Sequence, residues 1–429
     1  MLAMVAKLDL ECKQFDLITA FLNALIKKHK IFVEMPHGFE QYEGKVQKIC
    51  LLKCALYGLK QSPLLWYEEL AKFLRVMDLE PCIRDPCLFM HHSGAYILIY
   101  VDDLLLIAKS LELINKLASL LSAKFAMKEL GDVAWFLGCR IVRDRKKRKI
   151  WMVQDAYIST MAERFGIQLL KRSTPMKAGT ELLKAPANFN ATRQAKKQYQ
   201  ELVGSLMWPA TITRGDIAAT VSKLAMYLTN PTTEHHEAAL HCAEYLLATK
   251  TDGICLGGDE LQLEGFVDSS WADNSDDRRS TCGMVFRFGG GPIFWKSGRQ
   301  SVVATSTTEA EYVAMSLAAR EAAALRRLVS EVLQEQHPAI VMHEDNQPAI
   351  DLLDKPPGAN TRTKHMDVKY HFIRQEVDRG AIIVVKIPTD KQAADGLTKP
   401  LDRIKHEQFK HLFGIVDCSE AIATMVLNN

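Results

Sequence analysis

Hydrophobic residues form two short runs in residues 95–108, and two aspartates interrupt them. The stretch reads AYILIYVDDLLLIA, with Asp102 and Asp103 between the runs. Runs of this length, rich in branched and aromatic residues, are typical of β-strands. The pattern therefore predicts a hairpin whose junction carries both aspartates.

A second pair of apolar runs flanks a basic segment in CRIVRDRKKRKIWMV (139–153) and predicts another hairpin. Six of the seven residues from Arg143 to Lys149, at the predicted tip, are basic. Two interpretations of this tip remain open: a solvated turn, or a contact to nucleic-acid phosphates.

Residues 155–250 have a largely helical pattern, and TNPTTEHHEAAL supplies a proline and capping residues for one of its helices. The metal-ligand residue types in that helix are His235, His236, His241 and Cys242. Zinc binding is one interpretation of them. No second paired ligand set accompanies them, so an ordinary helix face is the other. The glycine- and acid-rich segment TDGICLGGDELQ (251–262) predicts a domain boundary.

The pattern changes after residue 262. LEGFVDSSW predicts a strand ending in an aspartate, and GMVFRFGGGPIFWKSGRQSVVA predicts three further strands joined by turns. The alanine-rich TSTTEAEYVAMSLAAREAAALRRLVSEVLQ predicts a long helix with threonines at its start. AIVMHEDN and AIIVVKIP predict strands, with a helix around DVKYHFIRQEV between them, and DKQAADGL begins a last short helix. The pattern indicates a mixed α/β domain with its strands clustered early.

The composition indicates the class of protein and its number of domains but does not identify a function. The chain has 429 residues, 48% of them hydrophobic and 24% charged, which suits two or three globular domains. A net charge of +3 does not identify a nucleic-acid binder. Ten cysteines without a CxxC pair predict reduced thiols in an intracellular protein. No apolar run approaches about 18 residues, and acidic residues appear early, so we expect neither a membrane span nor a secretory signal.

Asp102 and Asp103 do not fit a buried core, because an unpaired buried carboxylate is costly. A turn would explain them, but a two-residue hairpin turn prefers Asn-Gly or Asp-Gly, and this one has no glycine. The other explanation is a bound cation such as Mg²⁺, which prefers hard oxygen ligands.

Earlier segments place further motifs in a recognisable order. KQFDLITAFLNA has Asp16 five residues before Phe21, and CALYGLKQSPLLWYEEL follows as the entry to a helix. Together with YVDD and the later ELGDVAWFLG, these motifs span more than a hundred residues. This ordered set resembles the reverse transcriptase of copia-type LTR retrotransposons.

The resemblance implies a polymerase site with two Mg²⁺ ions, or Mn²⁺ as the alternative. The acids that it implies as metal ligands are Asp16, Asp102 and Asp103. Phe21 would lie under the incoming sugar and reject a 2′-hydroxyl, with a core aromatic as the other interpretation. Tyr57 and Gly58 would line the nucleotide pocket. Leu64 departs from the family pattern, in which an arginine is usual.

A second set of acids lies in the last third of the chain. They are Asp268 and Asp345 at strand ends, Glu309 and Glu311 early in the long helix, and Asp395 at the last helix. Taken singly, each is more simply a helix cap or a solvated side chain. Acids at strand ends and helix starts can also converge on one edge of a sheet, as a two-metal nuclease requires.

The surrounding motifs resemble the ribonuclease H domain of copia-type polyproteins. They are DSSWADNSDDRRSTCGMVF, GPIFWKSGRQSVVATSTTEAEY, EDNQPAI, RTKHMDVKYHFIRQEV and ADGLTKPL. The metal-binding acids that this resemblance implies are Asp268, Glu311, Asp345 and Asp395, again with two divalent ions. Glu311 is preferred over Glu309 because the Glu-aromatic-Val-Ala pattern matches the helix register of that fold.

Contacts to the nucleic-acid backbone are also expected in this domain. The candidates are Arg278, Arg279, Lys296, Arg362 and Lys364. As exposed basic residues they could equally serve solubility. His365 and His371 are candidate proton shuttles without an assigned role.

The expected fold class is α/β (α+β): a reverse transcriptase palm lacking most of its fingers, followed by a ribonuclease H-like mixed-sheet domain. The expected domains are 1–160 (palm), 161–258 (helical thumb or connection), 259–400 (ribonuclease H-like) and 401–429 (C-terminal tail).

The implied function is RNA-directed DNA synthesis with cleavage of RNA in RNA–DNA hybrids. The implied partners are an RNA template, a DNA primer, their hybrid and deoxynucleoside triphosphates, without a membrane. The expected location is cytoplasmic, in a virus-like particle, or nuclear. Two alternatives remain open: an element remnant with a silent polymerase and a residual ribonuclease H, and a passive nucleic-acid binder.

Overall fold

In this computed structural model, contacts divide the chain into two units. One unit is Leu10–Val133, and the other combines Met1–Asp9 with Ala134–Asn429. The structure describes residues 1–44, 46–258, 260–354 and 367–428, with the backbone alone for 367–371, 426 and 428.

The elements are numbered in chain order. The helices are α1 (Leu2–Lys7), α2 (Ser62–Val76), α3 (Leu111–Ser122), α4 (Asp155–Phe165), α5 (Arg193–Ile212), α6 (Ala218–Ala225), α7 (Thr233–Ala248), α8 (Thr307–Leu333), α9 (Gln347–Asp351), α10 (Asp367–Asp378), α11 (Arg403–Phe413) and α12 (Ser419–Asn428). Short 3₁₀ helices cover Ala20–Asn23, Gly215–Ile217, Thr389–Lys391 and Asp395–Leu397.

The strands of the unit Leu10–Val133 are β1 (Glu11–Leu17), β2 (Phe32–Glu34), β3 (Tyr42–Glu43), β4 (Val46–Gln47), β5 (Ile49–Leu51), β6 (Leu79–Pro81), β7 (Leu88–His91), β8 (Tyr96–Tyr100), β9 (Asp103–Ala108) and β10 (Met127–Asp132). Those of the other unit are β11 (Trp135–Phe136), β12 (Cys139–Asp144), β13 (Lys149–Val153), β14 (Asp252–Gly257), β15 (Leu263–Ser270), β16 (Thr281–Phe288), β17 (Gly291–Arg299), β18 (Ile340–Glu344), β19 (Ile382–Lys386) and β20 (Ile415–Asp417).

The unit Leu10–Val133 is built on an antiparallel sheet with the strand order β10-β1-β9-β8-β7-β6. Trp66, Leu70 and Leu74 recur at every fourth position of α2, and each is at most 2% exposed. This spacing gives the helix one apolar face, which joins the same core as the sheet residues. The central pair β8–β9 confirms the hairpin predicted around Asp102 and Asp103.

The other unit contains two five-stranded sheets. One is antiparallel, with the order β11-β12-β13-β14-β20, and β12–β13 confirms the hairpin with the basic tip. The second has the order β17-β16-β15-β18-β19; its first three strands are antiparallel, and β18 and β19 run parallel to β15. Helix α8 packs on β15 and β16. This is the mixed sheet expected of a ribonuclease H-like domain.

Helices α4, α5, α6 and α7 share one apolar core in this unit. Apolar residues such as Ala239, Cys242 and Leu246 recur along α7 at helical spacing, and all three are fully buried. The largely helical expectation for 155–250 holds for these four helices. It is wrong for residues 166–184, which form no helix, whereas the polar segment APANFNATRQAKKQYQ (185–200), expected to be a loop that leads into a helix, enters α5 at Arg193.

The third strand predicted in GMVFRFGGGPIFWKSGRQSVVA is wrong, because residues 300–306 form no strand. The backbone N–H of Gln300 donates to Ser280, and the chain then turns into α8. The Ser306 hydroxyl caps that helix by accepting from the Glu309 N–H. The residues before Thr307 therefore lead into the helix and do not form a strand.

Residues 401–429 contribute ordered elements, α11, β20 and α12. Strand β20 pairs with β14, where Asp417 faces Asp252. The division into four domains at residues 160, 258 and 400 remains a prediction. Among the helices that the structure describes, none combines the length and apolarity that crossing a bilayer requires.

Candidate active sites

Strand pairing places three aspartates at one end of the sheet in the unit Leu10–Val133. Asp16 on β1 is the register partner of Asp103 on β9. Asp103 also pairs with Tyr100 on β8, so Val101 and Asp102 form a two-residue turn between them. The backbone N–H of Leu17 donates to the Asp102 carbonyl at 2.8 Å, which ties the turn to β1.

Two polar side chains contact these aspartates. The Tyr57 hydroxyl donates to Asp102 Oδ2 at 3.3 Å, and the Gln14 amide donates to Asp103 Oδ1 at 3.3 Å. Burial raises the pKa of Asp103, the charges of Asp102 and Asp16 raise it further, and the Gln14 hydrogen bond opposes the rise. Burial is therefore the main cause of the shift, and repulsion between the negative charges at the turn adds to it.

The expected nucleotide-pocket residues lie beside this turn. Phe21 is 6% exposed and belongs to the apolar core, with its ring centroid 4.4 Å from that of Tyr57. The Phe21 ring therefore packs against the residue that bonds Asp102, so its core role and its place near the aspartates are compatible. Gly58 has a φ of +91°, which L side chains rarely adopt, and the space around it is open. Leu64 is exposed on α2.

Three acids meet at one edge of the mixed sheet in the other unit. Asp268 is near the end of β15, Asp345 follows β18, and Glu311 lies in the first turns of α8. One ligand oxygen from each lies within 4.8 Å of the others. Because β15 and β18 are parallel, their carboxyl ends reach the same edge. Glu311 belongs to this group and Glu309 does not, within the residues that the structure describes.

Glu309 has a different role in the same helix turn. Its Oε2 accepts hydrogen bonds from the Thr305 backbone N–H at 2.7 Å and from the Thr305 hydroxyl at 2.5 Å. Glu309 is thus bound to the loop that enters α8. Glu311 Oε2 is buried and has no hydrogen-bond partner among the described residues.

The electrostatics of the cluster are unfavourable for three negative charges. Burial raises the pKa of Asp268, and the charge of Asp395 raises it further, while Lys399 and a 2.8 Å hydrogen bond from the Thr398 hydroxyl lower it. Burial also raises the pKa of Glu311, with the charges of Glu344 and Asp268 adding to the effect. Carboxylates in such a cluster are stabilised by a cation.

Asp395, the fourth acid expected here, begins a 3₁₀ helix and forms an ion pair with Lys399 at 2.5 Å. Its carboxylate is outside the group within 4.8 Å in the described part of the chain. Its charge nevertheless acts on Asp268, so it lies at the border of the cluster.

Glu344 is an acid of this site that the sequence analysis missed. It is fully buried as the last residue of β18, and its Oε2 has no hydrogen-bond partner in the described residues. Burial raises its pKa, and its own charge acts on Glu311. The signal was the alternation along β18, which puts Glu344 on the buried face with Ile340 and Met342.

The expected nucleic-acid contacts are only partly described. Arg278 and Lys296 are exposed, and Arg279 forms an ion pair with Asp277 at 3.8 Å. The expected residues outside the described ranges are Arg362, Lys364 and His365, and for His371 only the backbone is described.

The zinc interpretation of the α7 residues has no support in the described residues, because they form no group of metal-ligand atoms. His235 caps the helix by accepting from the Thr232 N–H, and a ring nitrogen of each of His236 and His241 hydrogen-bonds to a backbone carbonyl. Cys242 is fully buried in the helical core. The residues therefore form an ordinary helix face.

The basic tip of the β12–β13 hairpin is partly neutralised. Arg143, Arg145 and Arg148 all form ion pairs with Asp9, at 2.9, 3.2 and 3.0 Å. These arginines hold residues 1–9 against the hairpin of the same unit. An internal ion-pair cluster is thus a third role, which neither interpretation of the sequence included.

A reverse transcriptase family model and transposon proteins are similar to this chain. A family model described as reverse transcriptase (RNA-dependent DNA polymerase) matches residues 1–178. The retrovirus-related Pol polyprotein from transposon TNT 1-94 of Nicotiana tabacum is 40% identical over 422 residues, covering 96% of this chain and 32% of the relative. A putative transposon Ty5-1 protein of Saccharomyces cerevisiae is 32% identical over 311 residues, covering 70% of this chain and 98% of the relative.

The chain spans about a third of the length of the tobacco relative. Among solved structures, the foamy viral protease-reverse transcriptase in complex with dsDNA aligns with a TM-score of 0.48 at 14% identity, covering 88% of this chain and 67% of that chain.

Proposed function

This chain belongs to the copia-type retrotransposon Pol family, and we propose that it combines RNA-directed DNA synthesis with ribonuclease H cleavage. DNA synthesis is assigned to Asp16, Asp102 and Asp103, and cleavage of the RNA strand to Asp268, Glu311, Asp345 and Asp395. The observation that carries the proposal is the convergence of Asp268, Glu311 and Asp345 within 4.8 Å at one sheet edge. The register pairing of Asp16 with Asp103 supports the polymerase part.

The donor types of both sets fit divalent cations. Among the described residues, Asp268, Glu311 and Asp345 also have ligand oxygens within 4.8 Å of one another, whereas Asp16, Asp102 and Asp103 form no such group. Every assigned ligand is a carboxylate, the hard oxygen donor that Mg²⁺ and Mn²⁺ prefer. In the second cluster, Glu311 Oε2 is buried without a hydrogen-bond partner among the described residues, an arrangement that a cation would satisfy. When bound, Mg²⁺ would supply Lewis-acid activation of the attacking oxygen and neutralise the charge on the leaving oxygen.

The residues of the polymerase site would orient the substrates. In this proposal Asp16 and Asp103, register partners on adjacent strands, would hold divalent ions together with Asp102. Tyr57 holds Asp102 through its hydroxyl and packs on Phe21. The Phe21 ring would then limit the space under the sugar of an incoming deoxynucleoside triphosphate, which favours a substrate without a 2′-hydroxyl.

The residues of the nuclease site would hold the RNA strand at the sheet edge. Thr398 fixes one oxygen of Asp268, which leaves the other for a cation. Lys399, now paired with Asp395, is placed to exchange that partner for a backbone phosphate of the hybrid. The hybrid would be recognised by the 2′-hydroxyls and shape of its RNA strand.

The experiment uses a DNA primer annealed to a longer RNA template, with a different label on each strand. Purified protein, Mg²⁺ and deoxynucleoside triphosphates are added, and both strand lengths are read on one gel. The proposal predicts primer extension together with RNA shortening. Asp103→Asn should remove only the first product, and Asp268→Asn only the second.

Other outcomes correspond to the two alternatives. RNA shortening without extension would indicate a silent polymerase beside a working nuclease. Binding of the hybrid with no change in either strand would indicate a passive binder and would overturn both parts of the proposal.

A further inference from the structure

The turn that carries the polymerase aspartates has an unusual backbone. Val101 has a φ of +58°, in the left-handed region. Branched residues rarely adopt this conformation, because the side chain clashes with the backbone. Strained residues of this kind persist where the surrounding structure holds them, and they cluster at functional sites. A specific contact that holds Val101 is therefore expected.

Helix α2 supplies that contact. The Trp66 indole N–H donates to the Val101 carbonyl at 2.7 Å. Trp66 is 2% exposed, and its ring packs edge-on against Phe125, with a centroid distance of 5.3 Å and an interplanar angle of 82°. This packing fixes the direction of the N–H bond, so that the donor has little freedom to leave the turn.

The turn is held from a second side by the strand that carries Asp16. The Leu17 N–H donates to the carbonyl of Asp102, the residue after Val101. Two consecutive carbonyls, of Val101 and Asp102, thus accept from different elements of the same unit. A small rotation at Val101 would turn the peptide that leads into both aspartates.

We propose that Trp66 is a positioning residue of the polymerase site. Its N–H stabilises the strained turn at Val101 and thereby sets the direction of the Asp102 and Asp103 carboxylates. Trp66 contacts no reacting atom in this arrangement, and it acts only through the backbone of the turn. The inference rests on the proposed polymerase function, and its test separates the two.

The first test is Trp66→Phe in the full chain, which keeps an aromatic ring and removes the donor. We expect kcat for primer extension to fall about tenfold, since misdirected carboxylates affect chemistry more than nucleotide binding, with KM nearly unchanged. RNA cleavage by the same protein should not change. Trp295→Phe is the matched control, because Trp295 donates to the Ala210 carbonyl, also at 2.7 Å, in the other unit.

Loss of stability could imitate this result, and Leu70→Ala addresses it. Leu70 is fully buried on α2 and has no role in the turn. Leu70→Ala should destabilise the unit without lowering kcat per folded molecule. If Leu70→Ala lowers kcat as much as Trp66→Phe does, the positioning role is overturned.

Val101→Gly provides the most specific test. Glycine adopts a positive φ without strain, so the turn should depend less on Trp66. In a Val101→Gly background, Trp66→Phe should lower kcat by less than about threefold, a coupling that double-variant cycles measure. An equal loss in both backgrounds would contradict the inference.

A measurement of metal binding, which requires no catalysis, tests the role of Trp66 separately from the proposed polymerase activity. In a chain carrying Asp268→Asn and Asp345→Asn, Mn²⁺ binding that depends on Asp16, Asp102 and Asp103 can be titrated by electron paramagnetic resonance. Trp66→Phe should weaken this Mn²⁺ binding about tenfold, even if the wild-type chain extends no primer. Unchanged Mn²⁺ binding would overturn the positioning role.

Discussion

Asp16 and Asp103 face each other as register partners on the antiparallel strands β1 and β9. Directly opposed residues of an antiparallel pair project to the same face, and like charges there destabilise the pair. Burial is the main cause of the raised pKa of Asp103, and the charges of Asp102 and Asp16 add to it. A cation bound by both carboxylates would relieve the repulsion between them.

Replacing one of these partners tests the polymerase assignment. Asp16→Asn keeps the shape of the side chain and removes one ligand charge. We expect primer extension to fall at least about a hundredfold, while RNA cleavage by the same protein persists. The two activities are measured on one doubly labelled hybrid. Loss of both together would point to misfolding or to a shared site instead.

The two glutamates at the start of α8 form a matched pair for the nuclease assignment. Glu309 and Glu311 are 7% and 6% exposed, but only Glu311 belongs to the acid group. Glu311→Gln should abolish hybrid cleavage. Glu309→Gln should keep cleavage within about threefold and lower the melting temperature, because a helix-entry contact to Thr305 is weakened. Cleavage lost only in Glu309→Gln would reverse the assignment.

The raised pKa values of the acids assigned to the proposed nuclease site predict a pH-dependent stability. Burial raises the pKa of Asp268 to about 7, above its unfolded value near 4, so the folded state binds more protons than the unfolded state between these values. Stability of the metal-free protein should therefore fall as pH rises through this window. Thermal melts in a chelating buffer at pH 5 to about 8 measure the slope.

The effect of Mg²⁺ on the melting temperature is a second measurement of the same acids. Because the ion binds the deprotonated carboxylates, the gain in melting temperature on adding Mg²⁺ should increase with pH over the same window. A chain carrying Asp268→Asn, Glu311→Gln and Glu344→Gln should show a flatter slope and a smaller Mg²⁺ effect. A Mg²⁺ effect that is the same at each pH would show that the ion does not bind the deprotonated forms of these acids.

Local sequence patterns predict those features of the two candidate sites that depend on a single strand or hairpin. The apolar runs around Asp102 and Asp103 predicted the hairpin, because strand patterns depend on neighbouring residues. The acids at the ends of β15 and β18 were found in the same way. Glu344 shows the limit: the end of the strand pattern favours Asp345, whereas alternation along β18 places Glu344 on the buried face.

Contacts between distant segments could not be predicted from single-sequence patterns. Asp9 binds three arginines more than a hundred residues away, and the Trp66 donor to Val101 links a helix to a turn 35 residues later. Both depend on the tertiary arrangement. The non-helical course of residues 166–184 also escapes the sequence pattern, although the polar loop before α5 does not.

A buried ion pair in the larger unit gives the last prediction. Arg214 and Asp216 are fully buried and paired at 2.7 Å, and Asp216 also accepts from the Tyr245 hydroxyl. Burial alone would raise the pKa of Asp216, but the Arg214 guanidinium lowers it to about 2.

Asp216→Asn should cost about 3–5 kcal/mol, because it leaves Arg214 charged and uncompensated in the interior. Lys197→Gln, which breaks the exposed 3.9 Å pair of Lys197 with Glu201, should cost less than about 0.5 kcal/mol. Since the pKa of Asp216 is lowered in the folded state, its stabilisation is present above about pH 4 and is lost as pH falls toward 2. The penalty of Asp216→Asn, measured by urea unfolding, should therefore shrink at acidic pH. A penalty that is constant from neutral pH to about pH 3 would show that the aspartate charge is not what stabilises Arg214.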